Sequence, residues 1–233
     1  GFACTPSTTS LQVALAWTNG WTYDSVVVRR GGAVIATLAG SATSYGDTVP
    51  APGAYAYEVR GTLGLLESVA ATCGAEATYV APAAITQCTI GADRIGRLVW
   101  TNGATNYTGI RLLIDGTAVA QSPLPGTATS YTSGALAPGN HTFSVQPYIS
   151  TYNAVPATCT ATAPLPPPAA FTCAASASSL AVPLAWTNGW TYTSVVVLRN
   201  GATIATLAGT ATAYTDTLQA PGAYTYGVYG LTA

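Results

Sequence analysis

The chain has 233 residues, only 6% of them charged, and its seven basic residues, all arginine, nearly balance eight acidic ones. This balance leaves no positive field that could hold nucleic acid or anionic lipid, and no apolar run approaches the roughly 20 residues that span a bilayer. We therefore expect neither a nucleic-acid partner nor insertion into a membrane.

An ordinary soluble domain carries about 25% charged residues, so this surface must consist largely of Thr, Ser, Ala, Gly and Tyr. Such a surface avoids non-specific association either by carrying sugars or by packing against neighbouring copies. The five cysteines recur at regular intervals without a Cys-x-x-Cys spacing, which favours disulfides in an oxidising compartment. Both observations predict an extracellular or cell-surface location.

One motif occurs three times and divides the chain. It reads Leu-Ala-Trp-Thr-Asn-Gly-Trp-Thr-Tyr at 15–23 and again at 184–192, and a weaker copy begins at Leu98. Repetition of this kind indicates tandem domains. We place three β domains at residues 1–81, 82–164 and 165–233.

Short segments of alternating polarity make up the first domain. Between Leu11 and Trp17 the odd-numbered residues are large and apolar while the even-numbered ones are small or polar, the period of a half-buried strand. Turn residues separate this segment from others rich in β-branched and aromatic residues. The pattern predicts strands near residues 2–4, 11–17, 23–30, 34–38, 43–48, 54–60 and 67–80. About seven such strands are typical of a β-sandwich, and no stretch shows helical periodicity.

Each domain also contains a dipeptide that suits a two-residue hairpin turn. The three dipeptides are Gly31-Gly32, Asp115-Gly116 and Asn200-Gly201. Gly, Asn and Asp accept the positive φ angles that such turns require, so we expect a β-hairpin at each of them.

The third domain repeats the first but ends earlier. Sliding it by 169 positions aligns Cys173 with Cys4 and Trp186 with Trp17 without a gap, and about two thirds of the aligned positions are identical. Nothing corresponds to residues 67–80, so we expect the last strand to be missing and one sheet edge to be open. A continuation of the same chain or further copies of the protein would close that edge.

The middle domain matches the other two less well, so the domains follow an A-B-A order. Arg94 and Gly96 stand where the first domain has Leu11 and Val13, and this change predicts a bulge or a register shift in that strand. Proline-containing connectors at 81–83 and 164–168 predict extended, stiff linkers and hence a rod-like array.

Several features together resemble the fibronectin type III family. They are the Trp of the second strand, the hairpin dipeptides, Ser-Tyr-x-Asp-Thr at 44–48 and Pro-Gly-x-Tyr-x-Tyr-x-Val at 52–59. The chain looks most like secreted bacterial versions that carry an extra cysteine near each end. The resemblance implies tandem immunoglobulin-like β-sandwiches, no shared catalytic function, and a tyrosine corner at Tyr55 and Tyr224. His141 stands in that place in the middle domain.

The resemblance also bears on the cysteines, because the first and last strands of such a sandwich run side by side. One pairing joins Cys4 to Cys73 and Cys88 to Cys159, within the first and second domains. The alternative joins Cys73 to Cys88 and Cys159 to Cys173, across neighbouring domains. In the first pairing Cys173 is left unpaired or linked to a partner.

Few residues could carry catalysis or hold a metal. His141 is the only histidine, and its inward position, normally aromatic, favours a structural role. Asp47 and Asp216 suit hydrogen bonding in a turn, with calcium binding as the alternative. No nucleophilic triad or zinc site can be assembled from these residues, so we predict no enzyme, no metal site and no cofactor.

Four residues are candidate contacts with glycans. Trp21 and Trp190 follow the core tryptophan, where an exposed indole could stack on a sugar ring; packing within the loop or against a neighbouring subunit is the alternative. Asn106-Tyr107-Thr108 and Asn140-His141-Thr142 match the N-glycosylation pattern at loop positions.

The repeats, the stiff linkers, the scarcity of charge and the open third domain predict a non-enzymatic structural segment of an extracellular fibre, stalk or surface layer. The alternative is an adhesive or carbohydrate-binding accessory segment of a larger surface protein or secreted enzyme. In the alternative, Trp21 and Trp190 would be the stacking platforms.

Overall fold

A computed structural model describes residues 1–176 and 178–232, and within them every regular element is a β-strand. The predicted all-β class is confirmed. The chain divides into two compact units, which are Gly1–Thr89 with Gly96–Ser133 and Asn140–Ala161, and Ile90–Ile95 with Gly134–Gly139 and Thr162–Ala233. Ala177 and Ala233, which fall in the predicted third domain, lie outside the described residues.

The strands form three β-sandwiches, numbered here in chain order. Sandwich 1 contains β1 (Phe2–Pro6), β2 (Gln12–Trp17), β3 (Ser25–Arg30), β4 (Ala33–Ala39), β5 (Ser44–Thr48), β6 (Gly53–Leu63), β7 (Leu66–Glu67) and β8 (Ala71–Ala77). Sandwich 2 contains β9 (Ala84–Ile90), β10 (Ile95–Thr101), β11 (Gly109–Ile114), β12 (Thr117–Ala118), β13 (Leu124–Pro125), β14 (Ser130–Ala135), β15 (Gly139–Ile149), β16 (Tyr152–Asn153) and β17 (Ala157–Ala163). Sandwich 3 contains β18 (Ala169–Cys173), β19 (Ala181–Thr187), β20 (Ser194–Arg199), β21 (Ala202–Ala208), β22 (Ala213–Thr217) and β23 (Tyr226–Leu231). The domain boundaries drawn from the sequence stay predictions.

Each sandwich is built from two sheets. In sandwich 1 the strand order is β1-β2-β5 in one sheet and β4-β3-β6 in the other, where β7 and β8 also pair with β6. Sandwich 2 has the sheets β14-β10-β9 and β12-β11-β15, with β13 paired to β11, and with β16 and β17 paired to β15. Sandwich 3 has the sheets β18-β19-β22 and β21-β20-β23.

The core of sandwich 1 explains the alternating sequence. In β2, Val13, Leu15 and Trp17 are buried while the residues between them are exposed. Val26 and Val28 join the same apolar cluster from β3 in the opposite sheet. Burying an aliphatic side chain of this size stabilises a fold by about 1.5–3 kcal/mol, so the alternation decides which face of each strand lies inside.

The hairpin turns confirm the prediction from the dipeptides. Gly31 and Gly32 connect β3 to β4 with φ angles of 56° and 84°. Asp115-Gly116 and Asn200-Gly201 adopt the same left-handed conformation after β11 and β20. Such a backbone is costly for most residues, whereas Gly, Asn and Asp tolerate it.

Tyrosine corners are present in sandwiches 1 and 3, as the family resemblance implied. The hydroxyl of Tyr55 donates to the carbonyl oxygen of Ala51 at 2.8 Å, and that of Tyr224 donates to Ala220 at 3.1 Å. Each bond fixes the turn that precedes its tyrosine, which is the turn before β6 in sandwich 1 and the turn before β23 in sandwich 3.

In sandwich 2, β10 keeps its inward alternation, and the predicted bulge or register shift in this strand stays a prediction. Gly96, Leu98 and Trp100 all face inward. A Cβ on Gly96 would lie 2.8 Å from the ring of Phe143, which shows that this ring fills the space that a side chain would need. The backbone is irregular directly before β10, at Arg94, whose φ angle is 59°.

Sandwich 3 has the predicted open edge. β23 pairs with β20 on one side, and no strand among the described residues lies on its other side. In sandwich 1 that side of β6 is occupied by β8, which places Cys73 opposite Tyr57 and Ala71 opposite Val59. The prediction that the third sandwich lacks its last strand is confirmed.

Candidate functional site: sandwich ends and an open edge

The Trp-Thr-Asn-Gly motif closes one end of each sandwich. In sandwich 1 the indole N–H of Trp17 donates to Oδ1 of Asn19 at 3.1 Å, and Nδ2 of Asn19 donates to the carbonyl oxygens of Gly40 and Ala42 at 3.0 and 3.1 Å. The equivalent Trp–Asn pairs of sandwiches 2 and 3 form the same bond. The motif recurs because its asparagine ties the end of one strand to the opposite loop.

In sandwich 2 the linker before β9 lies against this motif. The hydroxyl of Tyr107 donates to the carbonyl oxygen of Ala81 at 2.7 Å and accepts from the backbone N–H groups of Gly103 and Ala104 at 2.9 and 3.1 Å. Burial raises the pKa of Tyr107 against the opposing effect of those two amides. The carbonyl oxygen of Pro82 lies so close to Gly103 that no side chain fits there.

The proline-rich linker before β18 makes the same contacts in sandwich 3. The hydroxyl of Tyr192 donates to the carbonyl oxygen of Pro166 at 2.6 Å, and the carbonyl oxygen of Pro167 abuts Gly189. Leu165 packs against the apolar cluster that includes Tyr192. The linker is thus attached to the sandwich that follows it.

The two candidate stacking tryptophans differ in exposure. Trp21 is 71% exposed, whereas Trp190 is 36% exposed. The guanidinium of Arg94 lies over the ring of Trp190, 4.8 Å from its centroid, an arrangement that cation–π attraction favours. One face of Trp190 is therefore occupied, and Trp21 is the more open platform.

Asp47 and Asp216 are buried strand residues, so the prediction that they serve turns is wrong. Asp47 accepts two hydrogen bonds from Nη1 of Arg30 at 2.9 and 2.7 Å and one from the hydroxyl of Tyr57 at 2.7 Å. Asp216 accepts the same three bonds from the matching residues of sandwich 3. A carboxylate satisfied by a guanidinium and a phenol links strands of the two sheets and resembles no calcium site.

Hydrogen bonding shifts the titration of these groups. Burial alone would raise the pKa of Asp216, but the bonds from Tyr226 and Arg199 outweigh it and lower that pKa. Burial and the bond to Asp216 raise the pKa of Tyr226 to about 12. Burial and the Asp47 carboxylate likewise raise the pKa of Tyr57. Asp216 is therefore ionised and both tyrosines are protonated at neutral pH.

Sandwich 2 replaces this arginine–aspartate–tyrosine cluster as a set. The three positions are taken by Ile114, Ser133 and Phe143. Phe143 is fully buried, and the hydroxyl of Ser133 accepts from the backbone N–H of Gly96 at 2.8 Å. An apolar contact and a neutral hydrogen bond thus stand where the other sandwiches have an ion pair between a half-buried arginine and a buried aspartate.

His141 belongs to a local turn structure. Its Nδ1 lies 2.6 Å from Oδ2 of Asp115, and the backbone N–H of Thr142 donates to the other oxygen of that carboxylate at 2.8 Å. The bond from Thr142 and then the contact with His141 hold the pKa of Asp115 below its ordinary value. The pair braces the hairpin turn at Asp115, which is a structural role for His141.

Disulfides join Cys4 to Cys73 and Cys88 to Cys159, with Cα–Cα distances of 6.0 and 6.4 Å. This is the pairing within each sandwich, and it replaces the alternative between neighbouring domains. The bridges connect β1 to β8 and β9 to β17, which belong to opposite sheets. Cys173 of β18 is exposed and is a free thiol.

Apolar side chains are exposed along the open edge of sandwich 3. Val228 is half-buried, whereas its counterpart Val59 is 6% exposed. Tyr229 and Leu231 are 41% and 44% exposed. Unpaired backbone groups, partly exposed core residues and the free thiol of Cys173 therefore occur together in one sandwich.

The two candidate glycosylation sites differ in secondary structure. Asn106 is exposed in the loop between β10 and β11, as predicted, whereas Asn140 is exposed within β15, so its predicted loop position is wrong. Glycosylation of either residue stays a prediction.

The charged residues of the chain are mostly engaged. All seven arginine side chains are half-buried; Arg29 lies 3.1 Å from Glu67, for example, and Arg111 stacks on Tyr148 at 4.3 Å. The described residues hold no group of three or more His, Cys, Asp or Glu side chains that could bind a metal ion. No helix in this part of the chain has the length and apolarity to cross a membrane.

The sequence matches no family model and no curated protein. Its structure is similar to a two-domain fibronectin type III segment of chicken tenascin, with a TM-score of 0.58 and 15% identity over 70% of this chain and 97% of that one. Fibronectin(III)-like modules of Clostridium thermocellum CbhA match at 14% identity over 70% and 94% of the two chains with a TM-score of 0.31. The central fibronectin-III array of RIM-binding protein matches at 15% identity over 100% and 91%, with a TM-score of 0.29.

The tenascin likeness carries the assignment, and at this identity it establishes the fold alone. The two lower TM-scores add no weight to it. The chain is a tandem array of β-sandwiches with the fibronectin type III fold.

Proposed function

We propose that this chain is a non-enzymatic structural repeat segment of an extracellular fibre, stalk or surface layer. The observation that carries the proposal is the open edge of β23, where no strand among the described residues satisfies the backbone hydrogen-bonding groups. An unpaired edge of this kind is a ready site for another strand. The proposal assigns that strand to a further copy of the protein or to a continuation of the same chain.

Strand β8 of sandwich 1 is the template for this partner strand. Its Cys73 lies opposite Tyr57 and is bonded to Cys4. Cys173 and Tyr226 hold the places of Cys4 and Tyr57 in sandwich 3. A strand with a cysteine opposite Tyr226 would therefore bring a thiol to Cys173.

The composition supports an extracellular setting. Disulfides such as Cys4–Cys73 and Cys88–Cys159 persist where the surroundings are oxidising. A chain with only 6% charged residues also suits a surface that packs against other copies or carries sugars. A secreted bacterial origin stays a prediction.

A peptide spanning residues 68–80, which include β8, tests the edge directly. It is supplied with its cysteine in a mixed disulfide with glutathione, so that attack by the Cys173 thiolate forms the new bond and releases glutathione as the thiolate. We expect one peptide per chain by intact mass and slower hydrogen exchange of the β23 amides. A peptide of the same composition in scrambled order is the matched control.

The Cys173→Ser variant separates covalent capture from strand pairing. It should lose the covalent product but keep part of the β23 protection at high peptide concentration. Equal capture of the native and scrambled peptides, with no protection of β23, would overturn the role assigned to this edge.

Electron microscopy of the native material tests the assembly itself. Rods or filaments are expected, because each open edge would be closed by the next repeat. A native protein that consists of dispersed monomers would contradict the proposal.

The exposure of Trp21 favours a second candidate, an adhesive or carbohydrate-binding accessory segment. Aromatic faces stack on the apolar faces of sugar rings, and 71% of Trp21 is accessible. A glycan array compares the wild type with Trp21→Ala and with the matched control Trp190→Ala, whose ring Arg94 covers on one face. Binding lost only in Trp21→Ala supports this candidate, and a wild type that binds no glycan removes it.

A further inference from the structure

We infer that sandwich 1 carries a binding site for an extended linker segment in which proline follows two positions after an apolar residue. The inference rests on the proposed role as a repeat segment and names a second place where that repeat engages its neighbour. Its occupant is the linker of another sandwich of the same kind.

Sandwiches 2 and 3 show the site in its occupied form. Val80-Ala81-Pro82 and Leu165-Pro166-Pro167 present the same elements in the same order. The apolar residue is buried in the first case, with Val80 3% exposed, and packs on the core in the second. The carbonyl oxygen of the next residue, Ala81 or Pro166, accepts a hydrogen bond from the hydroxyl of Tyr107 or Tyr192. The carbonyl oxygen of the proline that follows contacts the glycine of the Asn-Gly turn.

The spacing of these segments is the same in both sandwiches. Val80 lies eight residues before Cys88, and Leu165 lies eight residues before Cys173. Counted from Cys4, the same interval falls before Gly1.

Sandwich 1 has the receptor residues of the site in the same arrangement. A Cβ on Gly61 would overlap the ring of Tyr23, and a Cβ on Gly230 would overlap the ring of Tyr192, so the two tyrosines are packed alike. The hydroxyl of Tyr23 has no hydrogen-bond partner in the part of the chain that the structure describes. It is the counterpart of the hydroxyl of Tyr192 that holds the linker carbonyl.

A cavity of about 140 Å³ opens beside this free hydroxyl. Its lining includes Phe2, Trp17, Gly20, Tyr23 and Val59. Apolar cavities of about 150 Å³ accept guests the size of benzene, so one aliphatic side chain fits here. The cavity has a mixed lining, in which the apolar side chains of Phe2, Trp17 and Val59 lie beside polar groups that include Thr18 and Ser68. It thus offers apolar surface near a hydroxyl donor, the two features that the linkers use in the other sandwiches.

The chemistry of this site favours an extended proline-containing peptide. The core surfaces and the hydroxyl are uncharged, and Arg60 at the margin is already paired with Glu58, which gives a charged ligand no free counterpart. Proline holds a segment in the polyproline conformation before binding, so little conformational entropy is lost.

A graft tests the site in the full chain. Residues 163–169, with the sequence Ala-Pro-Leu-Pro-Pro-Pro-Ala, are placed directly before Gly1, so that the leucine stands eight residues before Cys4. We expect hydrogen exchange of the amides in residues 17–23 to slow by about tenfold relative to the ungrafted chain. The matched control graft carries serine in place of the leucine and keeps every proline.

The Tyr23→Phe variant identifies the hydrogen bond. In the grafted chain it should lose a large part of the added protection, and in the ungrafted chain it should change little because the hydroxyl has no partner there. Equal exchange rates with the leucine and serine grafts would overturn the inference.

The outcome does not depend on fibre formation. Protection by the leucine graft without rods in the native material would leave the site standing and remove the proposed fibre. Rods without protection would do the reverse.

Discussion

Sandwiches 1 and 3 share most of their sequence, yet one segment is a strand in the first and not in the third. β6 runs over Gly53–Leu63, whereas β23 covers only Tyr226–Leu231. Residues 53–56 of β6 pair with β8 alone, since pairing with β3 begins at Tyr57. The equivalent residues 222–225 have no such partner and are not a strand. Strand formation here depends on the neighbouring strand more than on local preference.

The largest test of this comparison removes the bridge that holds β8 in place. The double variant Cys4→Ser with Cys73→Ser should lower the unfolding free energy of sandwich 1 by about 4 kcal/mol, because the unfolded chain regains the freedom of a long loop. Thermal unfolding and hydrogen exchange of β6 measure the loss. Cys173→Ser is the matched control and should have almost no effect; an equal loss in both variants would contradict the comparison.

A smaller effect is expected from the buried carboxylates. Asp47→Ala leaves the hydroxyl of Tyr57, a residue only 2% exposed, without its acceptor and should cost sandwich 1 about 3 kcal/mol. Asp216→Ala should cost sandwich 3 about 1 kcal/mol, since Tyr226 is already half-buried at an open edge. Denaturant unfolding of the two variants compares them, and a larger loss for Asp216→Ala would refute the ranking.

Acid should act on the same cluster, with a smaller effect than deletion. The pKa of Asp216 is lower in the folded protein than in the unfolded chain, so its ionised form contributes stability above the unfolded value of about 3.9. That contribution is lost as the pH falls through the lowered folded pKa. Sandwich 3 should therefore lose stability in acid, and Asp216→Asn should show a flatter dependence in thermal unfolding from about pH 5 to pH 2. Parallel curves would count against this role.

The smallest difference concerns the two turn tryptophans. Trp190→Ala should destabilise the second compact unit, which contains both Trp190 and Arg94, by about 0.5 kcal/mol through loss of their contact. Trp21→Ala should have no measurable effect because its side chain is exposed. Unfolding midpoints of the two variants test the pair. A cost for Trp21→Ala equal to that of Trp190→Ala would show that Trp21 packs more closely than its exposure suggests.

Local features of the fold could be predicted from the sequence. The alternation in β2, the positive-φ dipeptides and the tyrosine corners depend on residues close together in the chain. A short stretch of sequence therefore contains the information needed to predict them. The open edge of the third domain could be predicted because the first domain, which has the additional strand, provides an internal reference.

The functional contacts could be predicted only in part, because they join residues distant in sequence. Arg30 of one sheet pairs with Asp47 of the other, and nothing in the sequence around either residue indicates this pairing. The signal that could have found them is their joint replacement in sandwich 2, where Ile114 and Ser133 stand in the same places. The hydrogen bond from the hydroxyl of Tyr192 to the carbonyl oxygen of Pro166 likewise could not be predicted, because it forms only when the turn is folded.

The half-buried arginines have a practical consequence for the folded chain. Trypsin-like proteases cut after lysine or arginine in accessible, extended segments, and this protein has no lysine. Each of its seven arginines is partly covered. Six of them lie within strands, whereas Arg94 lies in the turn before β10. Cleavage at the six strand sites therefore requires local unfolding, and Arg94 is the site at which such an enzyme should cut first.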